Sequence, residues 1–180
     1  MLDVIIAKRR GTICMGDATN AISAIDGKRF ALVVFCAKEF GPPPQVFDVH
    51  RRAHDPDAKR ASVYHCPIDD AVLTRDEMFL ASRAADLVTA NFLAGREVLV
   101  TCMKGRNRSG LVVALALHMM SGCGGKAALR AVRNRRLHAE GPALVNPTFV
   151  QLLENIPSRK QAPAAVAVST EDRPALIIGA

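Results

Sequence analysis

A cysteine is followed by five residues and then by an arginine and a serine, at Cys102, Arg108 and Ser109. The apolar run 97–101 predicts a buried strand and the apolar run 111–120 predicts a helix, so the three residues fall on a strand–loop–helix turn. Backbone N–H groups and the helix dipole at such a turn favour a bound anion. The same field activates a thiol, and the arginine fork matches a phosphate. The spacing therefore predicts phosphate-ester hydrolysis through a phosphocysteine intermediate.

These residues resemble the signature loop of the cysteine-dependent protein tyrosine phosphatases, His-Cys-x-x-Gly-x-x-Arg-Ser/Thr, and especially that of the small dual-specificity branch. Cys102, Gly105, Arg108 and Ser109 match the pattern, whereas Thr101 stands where the family has histidine. The resemblance implies that Cys102 is the nucleophile and that Arg108 clamps the phosphate. It also implies that Ser109 donates to the sulfur, a plain helix cap being the alternative, and that neither a metal nor another cofactor is needed. Because Thr101 offers no imidazole, we expect weaker thiolate activation than in relatives with histidine.

The residues between the cysteine and the arginine form the predicted phosphate-binding loop: Met103, Lys104, Gly105, Arg106 and Asn107. We expect their backbone N–H groups to point inward and their side chains to face outward, so that Lys104 and Arg106 make the rim basic. Within the wider superfamily, the basic residues Lys104 and Arg106 resemble those in the loops of enzymes that prefer phosphoinositides. Asn107, directly before the arginine, resembles the asparagine found at this position in phosphatases that act on RNA 5′ ends.

A departing alkoxide needs a proton, so the reaction requires a general acid. Asp70 lies 32 residues before Cys102, on a loop between a predicted strand and a predicted long helix. The dual-specificity pattern places its acid at about this separation, which makes Asp70 the candidate. Asp69 is the rival, and a turn or cap role for both carboxylates is the alternative. The RNA 5′-triphosphatase branch typically lacks this acid, so the Asp69–Asp70 pair argues against that function.

The 180 residues suit one domain, and the net charge of +7 favours solvated helix faces or the attraction of phosphorylated substrates. The basic side chains of Arg133, Arg135 and Arg136 are expected to form such a solvated face, with a secondary anion site as the alternative. No tryptophan and one tyrosine are present, so a nucleic-acid partner is not expected. No apolar run has the length of a membrane span, and the order of charges at the N-terminus is wrong for a secretory signal. We therefore expect a cytoplasmic location.

The five cysteines are odd in number and form no CxxC pair, so we expect reduced thiols and no zinc site. Oxidation of an activated, accessible Cys102 is plausible. Cys66 and Cys14 are its candidate partners by position alone.

Strands are predicted at 13–17, 30–35, 62–66 and 97–101, and helices at 18–25, 74–94, 109–121, 126–136 and 148–155. Their alternation indicates an α/β fold, a single domain with a central, mostly parallel sheet flanked by helices, as in the protein tyrosine phosphatases. The predicted catalytic domain covers 1–156, and an Ala/Pro-rich tail covers 157–180.

The resulting hypothesis is a dual-specificity phosphatase that acts on phosphotyrosine and on phosphoserine or phosphothreonine in proteins. Phosphate, sulfate or vanadate should occupy its loop. A phosphoinositide or RNA 5′-phosphatase of the same superfamily is one alternative. A phosphate-binding pseudophosphatase is the other, and only Thr101 favours it.

Overall fold

The computed structural model describes residues 3–8, 11–25, 29–40, 61–135 and 141–159. Five strands form one sheet in the spatial order β1-β2-β5-β3-β4. Their bounds are β1 Asp3–Lys8, β2 Gly11–Gly16, β3 Leu32–Ala37, β4 Ser62–Ile68 and β5 Glu97–Thr101. The four strands β2 to β5 run parallel, and β1 adds an antiparallel edge that the sequence did not predict. The predicted mostly parallel sheet is confirmed.

The helices are α1 Ala18–Ile25, α2 Arg75–Leu93, α3 Arg108–Ser121, α4 Gly125–Arg135 and α5 Pro147–Glu154. Each boundary lies within one residue of its predicted position. A short 3₁₀ helix, Lys38–Phe40, follows β3. These helices flank the sheet, as the alternating pattern predicted.

The helix ends are set by local side-chain caps. At the start of α2, the Thr74 hydroxyl accepts from the Glu77 N–H, and the Glu77 carboxylate accepts from the Thr74 N–H, which completes a capping box. Asn146 caps α5, and Pro147 occupies the first helical position. These caps fix where the chain enters α2, directly after Asp69 and Asp70, and where it enters α5.

Helix α3 is buried on all sides over 108–118, between the sheet, α2 and α4. A helix that is buried all round must be apolar all round, and the run Leu111–Leu117 meets this demand. The larger core lies on this side of the sheet, while a smaller cluster containing Phe30, Val33 and Leu99 covers the other face. The N-terminus of α3 is thereby held at the carboxyl end of β5, in the middle of the sheet.

Strand β4 runs through Pro67, where the sequence predicted that it would stop. Two features remove the conflict. The strand lies at the edge of the sheet, and its pairing with β3 shifts register between Phe35 and Ala37. Proline lacks the N–H that a central strand needs, but edges and bulges tolerate it. The longer strand carries the chain directly to Asp69 and Asp70.

Several predictions fall on other parts of the chain. The expected loop 37–60 lies mostly outside the described residues, as does the expected tail beyond Arg159, so the boundary at 156 stays a prediction. The last described residue, Arg159, donates its backbone N–H to Gly122 at 2.9 Å. Among the helices described, none combines the length and the apolar character needed to span a bilayer.

Candidate active site

The loop 102–107 joins β5 to α3 and turns sharply at Gly105, whose φ is +56°. A Cβ at this position would lie 2.3 Å from the backbone oxygen of Gly16, so only glycine fits the turn. The Gly105 N–H donates to the oxygen of Cys102 at 3.3 Å, and the Ala18 N–H donates to Met103 at 3.4 Å. The loop is therefore seated against the turn between β2 and α1.

The Cys102 thiol lies beneath this loop and is almost fully buried, at 3 % exposure. Its sulfur is 3.3 Å from the hydroxyl oxygen of Ser109, which is fully buried in the first turn of α3. The N-cap position belongs to Asn107, which makes no side-chain capping bond. The alternative role of Ser109 as the N-cap is therefore wrong, and its hydroxyl is placed to bond the sulfur.

Arg108 opens α3 with a buried side chain. Its Nη1 donates to the carboxylate of Glu39 and, at 3.4 Å, to the oxygen of Ile68. Its buried Nε has no hydrogen-bond partner within the described part of the chain. Burial opposes the charge, but the bond to Glu39 and the fields of Cys102 and Asp70 outweigh it and raise the pKa of the Arg108 guanidinium. In return, the Arg108 hydrogen bond lowers the pKa of Glu39.

Glu39 is a residue that the sequence reasoning missed. It follows β3 directly, so it sits at the same carboxyl edge of the sheet as the loop after β5. Because the carboxyl ends of parallel strands meet at one edge of the sheet, the position of Glu39 directly after a predicted strand was the signal that could have placed it near the site. The 69-residue separation from Arg108 hid the pairing.

Asp70 lies at the mouth of the loop with an exposed side chain. One carboxylate oxygen accepts from the Asn107 amide at 3.0 Å, and the other accepts from the Asn146 amide at 2.9 Å. The Asn107 side chain, expected to face outward, is half-buried and bonded to Asp70. The amide bridges the phosphate-binding loop to the candidate acid.

Asp69 is engaged elsewhere. Its carboxylate accepts from the Lys38 ammonium at 2.7 Å, and its backbone N–H donates to Glu77 at 3.0 Å. Lys38 also donates to Glu77 at 3.3 Å. Asp69 thus helps to hold the turn after β4 on α2, while Asp70 contacts the loop 102–107.

The basic rim is less free than expected. Met103 and Lys104 are exposed, but Arg106 donates through both Nε and Nη2 to the oxygen of Pro142, at 3.1 Å each. Arg133, expected on a solvated helix face or in a secondary anion site, donates at 2.6 Å to the oxygen of Leu144. Both arginines bind carbonyl oxygens within residues 142–144, beside the loop. Arg133 is nevertheless exposed, which agrees with the expected solvated helix face.

Thr101 stands where the signature loop that this sequence resembles has histidine, and it lies inside the core. It is fully buried, and its hydroxyl donates to the backbone oxygen of Val34 at 3.1 Å. Thr101 therefore joins β5 to β3.

Cys36 and Cys66 lie in the same core cluster as Cys102. Cys36 directly follows Phe35, which pairs with Thr101 across β3 and β5. Burial raises the pKa of the Cys36 thiol well above its ordinary value, and a hydrogen bond with Cys66 adds to this. Cys14, proposed as a neighbour by position, lies in the cluster on the opposite face.

An open depression of about 430 Å³ adjoins the candidate acid. Its lining includes Asp70, Asn107 and Asn146 together with the exposed apolar side chains of Val72 and Val145. It leaves room for an organic group next to the Asp70 carboxylate.

The fold is shared with solved phosphatase structures. Human DUSP28 is similar with a TM-score of 0.60 at 22 % identity, covering 85 % of this chain and 90 % of its own. Tk-PTP in its active form is similar with a TM-score of 0.58 at 20 % identity, and the match covers 85 % of this chain and 95 % of Tk-PTP. PTPMT1 in complex with PI(5)P is similar with a TM-score of 0.60 at 14 % identity, and the match covers 85 % of this chain and 92 % of PTPMT1. No protein-family model and no curated protein matches the sequence. The chain therefore has the fold of the dual-specificity and protein tyrosine phosphatase-like proteins.

Proposed function

We propose that this protein is a phosphatase that hydrolyses phosphomonoesters of phosphoproteins through a phosphocysteine on Cys102. One observation carries the proposal. At a single loop, a buried thiol lies 3.3 Å from the Ser109 hydroxyl, and the adjoining buried Arg108 has an Nε that no other described residue pairs. Nucleophile, leaving-group stabiliser and anion clamp are thus assembled at the N-terminus of one helix.

The unpaired Nε of Arg108 supports an anion site. An unsatisfied buried donor costs about 1–3 kcal/mol, so such a group is normally paired when its ligand is bound. A phosphoryl oxygen is a suitable partner, because the guanidinium fork binds two oxygens at once. The N-terminal dipole of α3 adds to the attraction of the anion.

The proposed reaction has two steps. The Cys102 thiolate attacks phosphorus while Asp70 gives its proton to the departing oxygen, which yields the alcohol or phenol and a phosphocysteine. Water then attacks the phosphocysteine as Asp70 takes up its proton, which releases phosphate and the thiolate. Ser109 stabilises the sulfur charge in both steps, and Arg108 stabilises the charge on the phosphoryl oxygens.

Phosphotyrosine and phosphoserine or phosphothreonine in proteins are the proposed substrates, because the depression beside Asp70 is open and partly apolar. The second candidate is a phosphoinositide. The exposed Lys104 favours it, as does the fold shared with PTPMT1, which was solved with PI(5)P. The RNA 5′-phosphatase reading weakens, since the Asn107 side chain that suggested it is occupied by Asp70. The expected cytoplasmic location stays a prediction.

The test is hydrolysis across pH of an aryl phosphate whose leaving group is poor enough to need a proton, by the parent, Cys102→Ser and Asp70→Asn. We expect Cys102→Ser to be inactive and Asp70→Asn to lose the pH limb that reports the acid. A panel of phosphopeptides and phosphoinositides then ranks the two substrate classes. A folded parent that binds vanadate without turnover would show a pseudophosphatase instead.

A further inference from the structure

Asp70 belongs to a closed ring of hydrogen bonds among three residues, Asp70, Asn107 and Asn146. Asn107 Nδ2 donates to Asp70 Oδ2 at 3.0 Å, and Asn146 Nδ2 donates to Asp70 Oδ1 at 2.9 Å. The ring closes because the Asn146 backbone N–H donates to Asn107 Oδ1 at 3.3 Å. The three residues come from the turn after β4, the loop after β5 and the N-cap of α5.

The orientation of both amides is forced by their other partners. Asn107 Oδ1 accepts from the backbone N–H of Val145 at 2.9 Å as well as from that of Asn146. Asn146 Oδ1 accepts from the N–H of Thr148 at 2.9 Å, at the start of α5. A backbone N–H can only donate, so the amide oxygens must face these groups. Both NH₂ groups therefore face Asp70.

We propose that Asn107 and Asn146 are positioning residues for the general acid, and that through Asp70 they decide how well the enzyme expels poor leaving groups. The inference rests on the proposed function. Asn107 directly precedes Arg108, so its amide ties the position of the acid to the loop that binds the phosphoryl group. A shift of about 1 Å in such a group costs up to about 10²-fold in rate.

The ring fits the carboxylate form of Asp70. Each oxygen accepts from one amide, whereas a protonated carboxyl presents an O–H donor on one oxygen. To carry its proton, Asp70 must therefore release one amide, and that freed O–H is the group that protonates the leaving oxygen. When the carboxylate re-forms, the ring closes and holds it ready to take the proton of the attacking water. The two asparagines thus place Asp70 for both half-reactions.

The test replaces one amide donor and keeps its shape. Asn107→Asp and Asn146→Asp retain the oxygens that bind the backbone N–H groups but turn the donor into an acceptor that repels Asp70. The readout is kcat/KM for an aryl phosphate with a good leaving group and for an alkyl phosphate. We expect kcat/KM for the alkyl phosphate to fall by about tenfold or more relative to kcat/KM for the good leaving group, which needs no proton. Any loss that the new charge in the loop causes through phosphate binding is common to both substrates and cancels in this ratio.

Asn91→Asp is the matched control, because Asn91 Nδ2 donates to the backbone oxygen of Leu87 on α2, away from the loop. It should change neither rate. If Asn146→Asp does not fold, Asn146→Ser keeps a capping oxygen without the amide.

The decisive comparison uses an Asp70→Asn background, in which adding Asn107→Asp should leave the ratio of the two substrates unchanged. An effect that persists there, or an equal loss on both substrates in the single variants, would overturn the positioning role. If Asp70→Asn lowers the rate with the alkyl phosphate but neither Asn107→Asp nor Asn146→Asp changes the ratio of the two substrates, this inference alone is overturned. A parent that turns over neither substrate would instead overturn the proposed function.

Discussion

Arg108 and Glu39 form an ion pair in which the guanidinium is buried, at 6 % side-chain exposure, and the carboxylate is half-exposed. Glu39 belongs to the 3₁₀ helix Lys38–Phe40, whose first residue, Lys38, binds Asp69 and Glu77. One short turn after β3 therefore holds both the proposed phosphate clamp and the loop that carries the proposed acid. Among the residues that the structure describes, none pairs the Nε of Arg108, which suits the proposed contact with a phosphoryl oxygen.

Arg108→Lys keeps the positive charge but removes the planar fork. Because the fork stabilises the transition-state charge at two oxygens, we expect kcat to fall by roughly 10²–10³-fold. The fall should come with weaker vanadate binding, measured by inhibition or calorimetry. Equal activity in a folded Arg108→Lys protein would show that charge alone suffices.

Ser109→Ala removes the hydroxyl 3.3 Å from the Cys102 sulfur. A hydrogen bond to a charged group contributes about 1.5–3 kcal/mol, so we expect breakdown of the phosphocysteine to slow by roughly 10–100-fold. Stopped-flow hydrolysis of an aryl phosphate should then show a burst of phenol followed by a slow steady state. The absence of a burst, with kcat unchanged, would count against this role.

Glu77→Gln tests the carboxylate that joins α2 to the acid-bearing loop. Hydrogen bonding from the Thr74 backbone, reinforced by the Thr74 hydroxyl, Asp69 and Lys38, outweighs burial and lowers the pKa of Glu77 from 4.5 to about 2. Because the folded pKa is the lower one, this stabilisation is present above pH 4.5 and is lost as pH falls towards about 2.

We expect Glu77→Gln to cost about 1–2 kcal/mol at neutral pH. Urea unfolding of both proteins across pH measures the effect, and the difference should shrink below pH 4.5. A difference that stays constant into acid would mean that the charge of Glu77 contributes nothing.

Gly105→Ala tests the close contact between the loop 102–107 and the backbone of Gly16. Its Cβ would meet the Gly16 backbone at 2.3 Å, so the loop must move, and we expect an activity loss of about 10²-fold. Gly122→Ala is the matched control, since its φ is similarly positive at +68° but its nearest neighbouring atom lies at 3.6 Å. That variant should lose about 1–2 kcal/mol of stability and keep its activity. Similar activity in the two variants would contradict the close approach of the loop.

The sequence predicted what is decided locally. Helix α2 was predicted at 74–94 and is observed at Arg75–Leu93, because its ends are set within one turn of the chain, by the Thr74–Glu77 capping box and by Gly95 with its positive φ of 81°. The glycine turn of the phosphate-binding loop is local in the same way. Continuous apolar runs likewise sufficed to predict the buried strands, because a parallel strand that is buried on both faces needs apolar side chains at successive positions.

Contacts between distant segments were beyond such reasoning. Glu39 meets Arg108 across 69 residues, and Asn146 meets Asp70 across 76. Nothing in the local pattern distinguishes Asn107 with a bonded amide from Asn107 facing solvent. Arg106 and Arg133 looked like free cations because the carbonyls that they bind belong to an irregular segment.

The central claim is a covalent phosphocysteine, and the most direct measurement is mass spectrometry of protein quenched in acid during turnover of an aryl phosphate. The account predicts one phosphoryl group on the peptide that contains Cys102, increased in Ser109→Ala and absent in Cys102→Ser. Turnover that persists in Cys102→Ser, or a phosphoryl group on another residue, would contradict it.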